Sequence, residues 1–342
     1  MQVGCVALMR NDGSGTRRLR CSIVIRAYNE ERHIGRLLEG ISRQTIQETE
    51  VVLVDSGSTD ATLAIASRYP VRVARIEPDE FTFGRSLNLG CSQAMADLIV
   101  IASAHVFPVY PDWLEQLLAP FDDPQVGLTY GKQRGTPGSR YAERQQFAKM
   151  FPDRSAARQE HPLCNNANAA VRRELWTRRP YDETLSGLED LEWATWMMQQ
   201  GYGLSYVSEA EVTHVHQETA RQLYNRYKRE AMALHRIQPW QVFQSWDFGR
   251  LFVSNAVSDC WHALREGEHP IILRDILAFR LIQFWGTYQG FRHKGPLTRK
   301  LMGAFYYPRG FRASQSPRVG DVEAIDYSSM GDGRGPRQRV EP

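Results

Sequence analysis

A chain of 342 residues, 42% hydrophobic and 24% charged, is long enough for one large core or two modest ones, and nothing in its bulk composition marks it as disordered. Its five cysteines (Cys5, Cys21, Cys91, Cys164, Cys260) are odd in number and never spaced C-x-x-C, which excludes a disulfide framework and a zinc ribbon and fits a reducing, cytosolic compartment. The net charge of +3 is uneven: over residues 221–312, fifteen Lys and Arg stand against six Asp and Glu, a surplus of +9 that leaves −6 for the rest.

The first twenty residues carry Arg10, Arg17, Arg18 and Arg20 without the apolar run of a signal peptide, and read as a disordered arm. Nowhere does an uncharged apolar stretch approach the ~20 residues that span a bilayer. Ser22-Ile23-Val24-Ile25 predicts a first strand, the polar Tyr28-Asn29-Glu30-Glu31 a turn, and Ile34, Leu37, Leu38 and Ile41 a helix by their spacings of three and four. The pattern repeats: Val51-Val52-Leu53-Val54 predicts a strand, residues 55–60 a polar loop, and Leu63, Ile65 and Ala66 a helix. Residues 71–76 predict a third strand and 84–96 a helix, and the apolar run Leu98-Ile99-Val100-Ile101 a fourth strand ending at Ala102-Ser103-Ala104-His105.

Apolar strands alternating with helices predict an α/β fold, a mostly parallel sheet covered on both faces, whose ligands bind beyond the carboxyl ends of the strands. The loops after Ile25, Val54 and Ile101 are therefore the candidate site. No G-x-G-x-x-G follows the first strand, so a dehydrogenase would lack its phosphate loop.

The second half is less regular. Asn165-Asn166-Ala167-Asn168 leads to Arg172-Arg173, and Leu188-Glu189-Asp190-Leu191-Glu192 heads a helix running through Trp193 to Met198. Leu204-Ser205-Tyr206-Val207 predicts a strand heading toward Val212-Thr213-His214-Val215-His216. From Leu223 the chain reads as helical, basic and aromatic, and its last thirty residues as disordered. The expected organisation is an arm over 1–20, a catalytic domain over 21–220, a helical appendage over 221–312 that helps bind the acceptor and a tail over 313–342. In residues 271–291 the longest uncharged run is the eleven residues after Arg280, too short to span a membrane. With Trp285, Tyr288 and the flanking Arg292, Lys294, Arg299 and Lys300, this stretch suits a helix lying in an anionic membrane interface rather than a nucleic-acid surface; packing on the catalytic domain or in a homo-oligomer interface is the equal alternative.

Five motifs occur in order: Ala27-Tyr28-Asn29-Glu30, Val54-Asp55-Ser56-Gly57-Ser58-Thr59-Asp60, Gly84-Arg85-Ser86-Leu87-Asn88-Leu89-Gly90, Asn168-Ala169-Ala170-Val171-Arg172-Arg173 and Glu189-Asp190. Together, across residues 22–216, they resemble the inverting GT-A glycosyltransferases called family 2. The resemblance implies a GT-A (Rossmann-like) catalytic domain that moves a hexosyl or deoxyhexosyl group, with inversion, from a nucleotide-diphosphate sugar to a glycan or lipid-linked saccharide. Surface polysaccharide assembly at the inner face of the cell membrane is the setting it implies. It places Asp190 as catalytic base with Glu189 beside it, Ala27, Tyr28, Glu30, Asp55, Arg85, Asn88, Ser103 and Ala104 at the donor, and Asn168 and Trp193 at the acceptor.

The chemistry of these residue types agrees with most of those roles. Inversion needs one carboxylate to take the acceptor hydroxyl's proton, which suits Asp190, although an acid at a helix head also stabilises the helix. Asp55 can accept hydrogen bonds from a base or a ribose, or with Ser58 organise a turn. Arg85 and Asn88 suit a polar helix face as well as a donor.

One motif departs from the family. Ser103-Ala104-His105 stands where Asp-x-Asp is usual, yet a leaving nucleoside diphosphate still needs its charge neutralised. His105, with His214 or His216, would ligate a divalent cation, and imidazole suits Mn²⁺ better than Mg²⁺. A catalytically silent relative acting as a sugar or partner binding module would also explain the loss, but the retained Glu189-Asp190 opposes it. A nucleotidyltransferase would need paired metal-binding carboxylates and a basic phosphate loop near the first strand, and neither is evident.

Overall fold

A computed structural model describes residues 18–77, 80–216, 218–292 and 322–330. Four of its strands are the four apolar runs of the first hundred residues: β1 (Cys21–Ala27), β2 (Thr49–Asp55), β3 (Val71–Arg75) and β4 (Leu98–Ser103). They pair in parallel as β3-β2-β1-β4. Alternate residues face opposite sides. Ile23 and Ile25 pack with Leu37, Leu38 and Trp113 under α1 (Ile34–Ser42), α2 (Thr62–Ala66) and α4 (Trp113–Leu118), whereas Val24, Val52 and Val54 pack with Leu87 and Trp193 under α3 (Phe83–Ser92) and α7 (Glu189–Gln199).

The remaining four strands make the sheet mixed. β7 (Asn168–Arg172) runs antiparallel to β4, β6 (Val126–Arg134) antiparallel to β7, and β8 (Gly203–His214) parallel to β6. The short β5 (Val106–Pro108) closes the eight-stranded order β3-β2-β1-β4-β7-β6-β8-β5 by pairing antiparallel with the end of β8. β5 and β7 are only three and five residues long, too short for a periodic signal.

After the sheet come α8 (Ala220–Ile237), opened by a Thr219–Gln222 capping box, then α9 (Ser245–Arg265) and α10 (Ile271–Phe291). With α5 (Tyr141–Met150) and α7 they enclose a third core around Leu191, Leu223, Tyr227, Phe279 and Phe284. At its heart Arg280 is fully buried, bonding Asp259 at 2.6 Å, Gln283 at 2.7 Å and the Ala142 carbonyl at 3.0 Å. The inner face of α10 therefore packs on the body of the protein. Among the described residues no helix is long and apolar enough to cross a membrane.

Part of the tail expected to be disordered is ordered: residues 322–330 lie along β5, where the Ile325 N–H donates to the Val109 carbonyl at 2.9 Å and the Tyr327 hydroxyl to that of Pro108 at 2.6 Å. The arm over 1–17 and residues 293–321, including Lys294, Arg299 and Lys300, lie outside the described residues.

Candidate active site

The site opens at the carboxyl ends of the parallel strands, where polar residues cannot continue the sheet and instead bond one another. Asn29, left-handed at φ 54°, donates its N–H to Ser58 Oγ at 2.9 Å and accepts the Thr59 N–H at 2.8 Å. Glu31 accepts the Ala61 N–H at 3.0 Å, and the Glu30 N–H donates to Thr62 Oγ1 at 2.7 Å. The laced loops form one wall of a cleft of about 780 Å³. Tyr28, Glu30, Ser103 and His105 line it, as do Glu189, Asp190, His214 and His216.

Three histidines converge there. Val106 pairs with His214 across β5 and β8, and the Val215 N–H donates to the His105 carbonyl at 3.1 Å, so the loop after β4 is clamped beside the end of β8. His214 and His216, two residues apart in extended chain, point the same way. One ring nitrogen of each lies within 4.8 Å of those of the other two. Every Nδ1 has an oxygen partner: Glu30 on His105 at 2.7 Å, Gln133 on His214 at 2.6 Å and Glu143 on His216 at 2.6 Å. These oxygens accept, so each Nδ1 carries a proton and each Nε2 is left facing the other rings. His214 Nε2 is buried with no hydrogen-bond partner. Burial, with the neighbouring cations and imidazoles, drives His214 and His216 far below the usual histidine range, which keeps them in the neutral, ligating form. Three imidazoles with oriented outer partners, and an orphaned buried nitrogen on one of them, fit a borderline divalent cation. Glu30, expected at the donor, is one of those partners.

Across the cleft, Leu188 takes a left-handed φ of 59° before α7, a conformation that costs a branched side chain of order 1 kcal/mol or more. It turns the head of α7 inward. Arg26 holds Glu189 at 3.3 Å. Asp190 accepts the Asn166 N–H at 3.1 Å and the Leu191 N–H at 2.8 Å, both of which favour ionisation. Desolvation outweighs them and, with the Glu189 charge beside it, lifts the Asp190 carboxyl to about 7. A carboxyl poised there is suited to accept a proton near neutral pH.

The last wall comes from α8, the first helix of the appendage. Gln222, Arg226, Arg229 and Glu230 face the cleft, while Leu223, Tyr227, Ala231 and Leu234 on the other side of the same helix pack inward. Arg226 is neutralised by Glu218 at 2.7 Å and Glu143 at 3.5 Å. Arg229 lies over Phe83, 4.5 Å from the ring centroid, with its Nε buried and unpaired. The helical spacing and basic character of 222–230 were visible in the sequence; that this face turns toward the cleft was not.

Several expected site residues are spent elsewhere. Asn168 is fully buried, accepting the Trp113 indole N–H at 2.9 Å and donating to the Ala210 carbonyl at 2.8 Å. Trp193 is fully buried and donates to the Arg179 carbonyl at 2.7 Å. Neither can touch an acceptor, because no surface of either is left to meet one. Asn88 ties α3 to the loop after α6 (Arg173–Arg178), donating to the Tyr181 carbonyl at 2.9 Å and accepting the Trp176 indole N–H at 3.1 Å. Arg85 pairs at the surface with Glu80 at 3.1 Å. Asp55 is buried and takes the Gly57 and Ser58 amides at 3.2 Å, as a turn-forming carboxylate does. Ala27 and Ala104 are buried, and neither they nor Asp55, Arg85 and Asn88 line the cleft.

The fold, a sheet with parallel strands feeding a polar cleft and helices on both faces, is that of the GT-A glycosyltransferases. It matches a mannosyltransferase of Pyrobaculum calidifontis, solved with GDP-Man and Mn²⁺, at a TM-score of 0.52 and 22% identity, over 80% of this chain and 74% of that one. Residues 22–178 match the model of the Glycosyl transferase family 2. The chain is similar to the O-antigen chain rhamnosyltransferases RfbN of Salmonella typhimurium, 27% identical over 65% of this chain and 74% of that protein, and WbaN of Salmonella anatum, 29% identical over 58% of this chain and 66% of that protein.

Proposed function

We propose that this glycosyltransferase moves a hexosyl or deoxyhexosyl group, with inversion, from a nucleotide-diphosphate sugar to a hydroxyl of a glycan or lipid-linked saccharide, in surface polysaccharide assembly. The observation that carries the reading is Asp190: one carboxyl at the head of α7, in the cleft, with its proton affinity raised toward neutrality. In the step, the acceptor hydroxyl gives its proton to Asp190 as its oxygen bonds the anomeric carbon from the face opposite the leaving group. The bond from that carbon to the diphosphate oxygen breaks, and the nucleoside diphosphate leaves with the electron pair. A single displacement needs no covalent intermediate. Glu189, held by Arg26, keeps the site's charge in place, and Tyr28 and Ser103 line the side of the cleft assigned to the donor.

His105, His214 and His216 would hold a divalent cation, Mn²⁺ in preference to Mg²⁺, which when bound supplies charge neutralisation to the leaving diphosphate. The similarity to O-antigen chain rhamnosyltransferases supports a deoxyhexosyl donor and a saccharide chain as acceptor. A lipid-linked acceptor would set the enzyme at the cytoplasmic face of a membrane. A silent binding module would have no use for a carboxyl tuned in this way.

The test is Asp190→Asn assayed against a panel of UDP, GDP and dTDP sugars after the donor has been found by thermal stabilisation. Turnover should fall by about 10² to 10⁴ while donor binding is retained. Near-normal turnover would remove Asp190 as the base.

A further inference from the structure

We infer that the outward face of the α9–α10 hairpin is a docking surface for an anionic phospholipid bilayer, which sets the cleft at the membrane; this rests on the membrane-apposed reading above and names the surface responsible. On the outside of the hairpin Trp246, Val257, Trp261, Leu264, Leu281 and Trp285 are between 42% and 68% exposed. They recur at helical spacing along both helices, so they form a face and not a scatter.

Charge distinguishes this face from an ordinary protein contact. The stretch 238–292 has five acids, and each is turned inward or used locally. Asp259 holds Arg280, Glu266 accepts the Tyr141 hydroxyl at 2.9 Å, Glu268 pairs with Arg144 at 2.6 Å, Asp275 with Arg140 at 3.8 Å, and Asp247 caps its own helix. The bases go the other way: Arg250, Arg265, Arg274 and Arg292 are exposed. Arg265 extends over the Trp261 ring at 5.0 Å and Arg292 over Tyr288 at 5.8 Å, each guanidinium standing beside an aromatic ring. Apolar side chains, indoles and arginines on one face, with the acids withdrawn from it, are complementary to the head groups and upper acyl chains of an anionic bilayer.

The surface also has a consequence for the site. α10 packs on one side of α8, and the other side of α8 carries Arg226 and Arg229 into the cleft. Docking through α9–α10 thus leaves a single helix, α8, between the hairpin and the cleft, where a lipid-linked acceptor would be delivered.

The experiment is flotation of the full-length protein with vesicles of phosphatidylglycerol and phosphatidylcholine, and with phosphatidylcholine alone, at low and high salt. Two variants are compared: Val257→Glu/Leu281→Glu on the apolar face, and Arg250→Ala/Arg265→Ala/Arg274→Ala on the basic one. The wild type should float with the anionic vesicles and lose binding as salt is raised, because exposed charge is screened. Each variant should bind at least about tenfold more weakly, as charging the apolar face or removing three cations predicts. Their thermal midpoints should match the wild type, since the substituted side chains are exposed. A wild type that never floats would overturn the membrane reading itself. A wild type that floats equally with both variants would overturn only this surface and assign binding to the basic stretch beyond Arg292. Variants that change the oligomeric state in light scattering, without changing flotation, would assign the face to a second copy of the chain.

Discussion

Two backbone amides favour the ionised Asp190, while burial and Glu189 favour its protonated form, and the second pair wins. Only the ionised carboxylate can take a proton, so kcat should rise with pH through about 7 and level off above it. His214 and His216, held neutral by burial, do not titrate in that window and cannot supply the limb. A kcat profile flat across about pH 5 to 9 would show that no such base operates. Among the histidines, His214 contributes the orphaned buried nitrogen, so His214→Ala should abolish stimulation by Mn²⁺ and lower Mn²⁺ affinity in a direct titration with nucleoside diphosphate present. Full activity in EDTA, unchanged by Mn²⁺, would transfer charge neutralisation to Arg26 and Arg229. Arg229 is the natural candidate because its Nε has no hydrogen-bond partner and no acid is paired with it among the described residues, whereas Arg85 and Arg172 face Glu80 and the carbonyls of Phe121, Asp123 and Val126. Arg229→Ala should weaken nucleoside diphosphate binding by about 1 to 3 kcal/mol, measured calorimetrically, with Arg229→Lys recovering part of the loss.

At the scale of elements, α8 and α10 meet more closely than their side chains alone would allow. Gly286 and Gly290 sit at the contact: a Cβ on Gly286 would lie 2.8 Å from the Tyr224 carbonyl oxygen, and one on Gly290 2.6 Å from the Ala231 Cβ and against the Lys228 carbonyl. Two glycines weaken a helix intrinsically, by roughly 1 kcal/mol each relative to alanine, so their presence here is explained by the approach they permit. Gly290→Val should push the helices apart and destabilise the protein by about 1 to 3 kcal/mol, read as a lowered denaturation midpoint. Because α8 carries Arg226 and Arg229, donor affinity should fall with it. An unchanged midpoint would mean that the helices are not in close contact at this point. The sequence showed a long aromatic helix over 271–291, but not which of its faces is covered, since Arg280 and Gln283 read as surface residues until Asp259 and Ala142 are brought to meet them.

For the molecule as a whole, residues 21–103 and the helix beginning at Glu189 were legible because their signals are local: apolar runs for strands, three-and-four spacing for helices, polar loops where the strands end. The expectation that Glu189-Asp190 and the histidines at 105, 214 and 216 belong to one site came instead from the family resemblance. The contributions that were misplaced all depend on what lies opposite a side chain. Asn168 and Trp193 are polar or aromatic in the chain, yet the antiparallel turn of β7 and the packing of α7 bury them completely. The appendage differs from the rest in composition, and α8 lines the cleft, so the boundary near residue 220 divides the sequence and not the site. What the sequence determined by itself was the class of fold, the order of its first four strands and the helices between them, and the chemical types available for transfer. What only the tertiary structure decided was which of those groups share one low-dielectric cleft, because burial and partnership, which set a carboxyl near 7 and leave imidazole and guanidinium nitrogens unmatched, come from contacts between residues far apart in the chain.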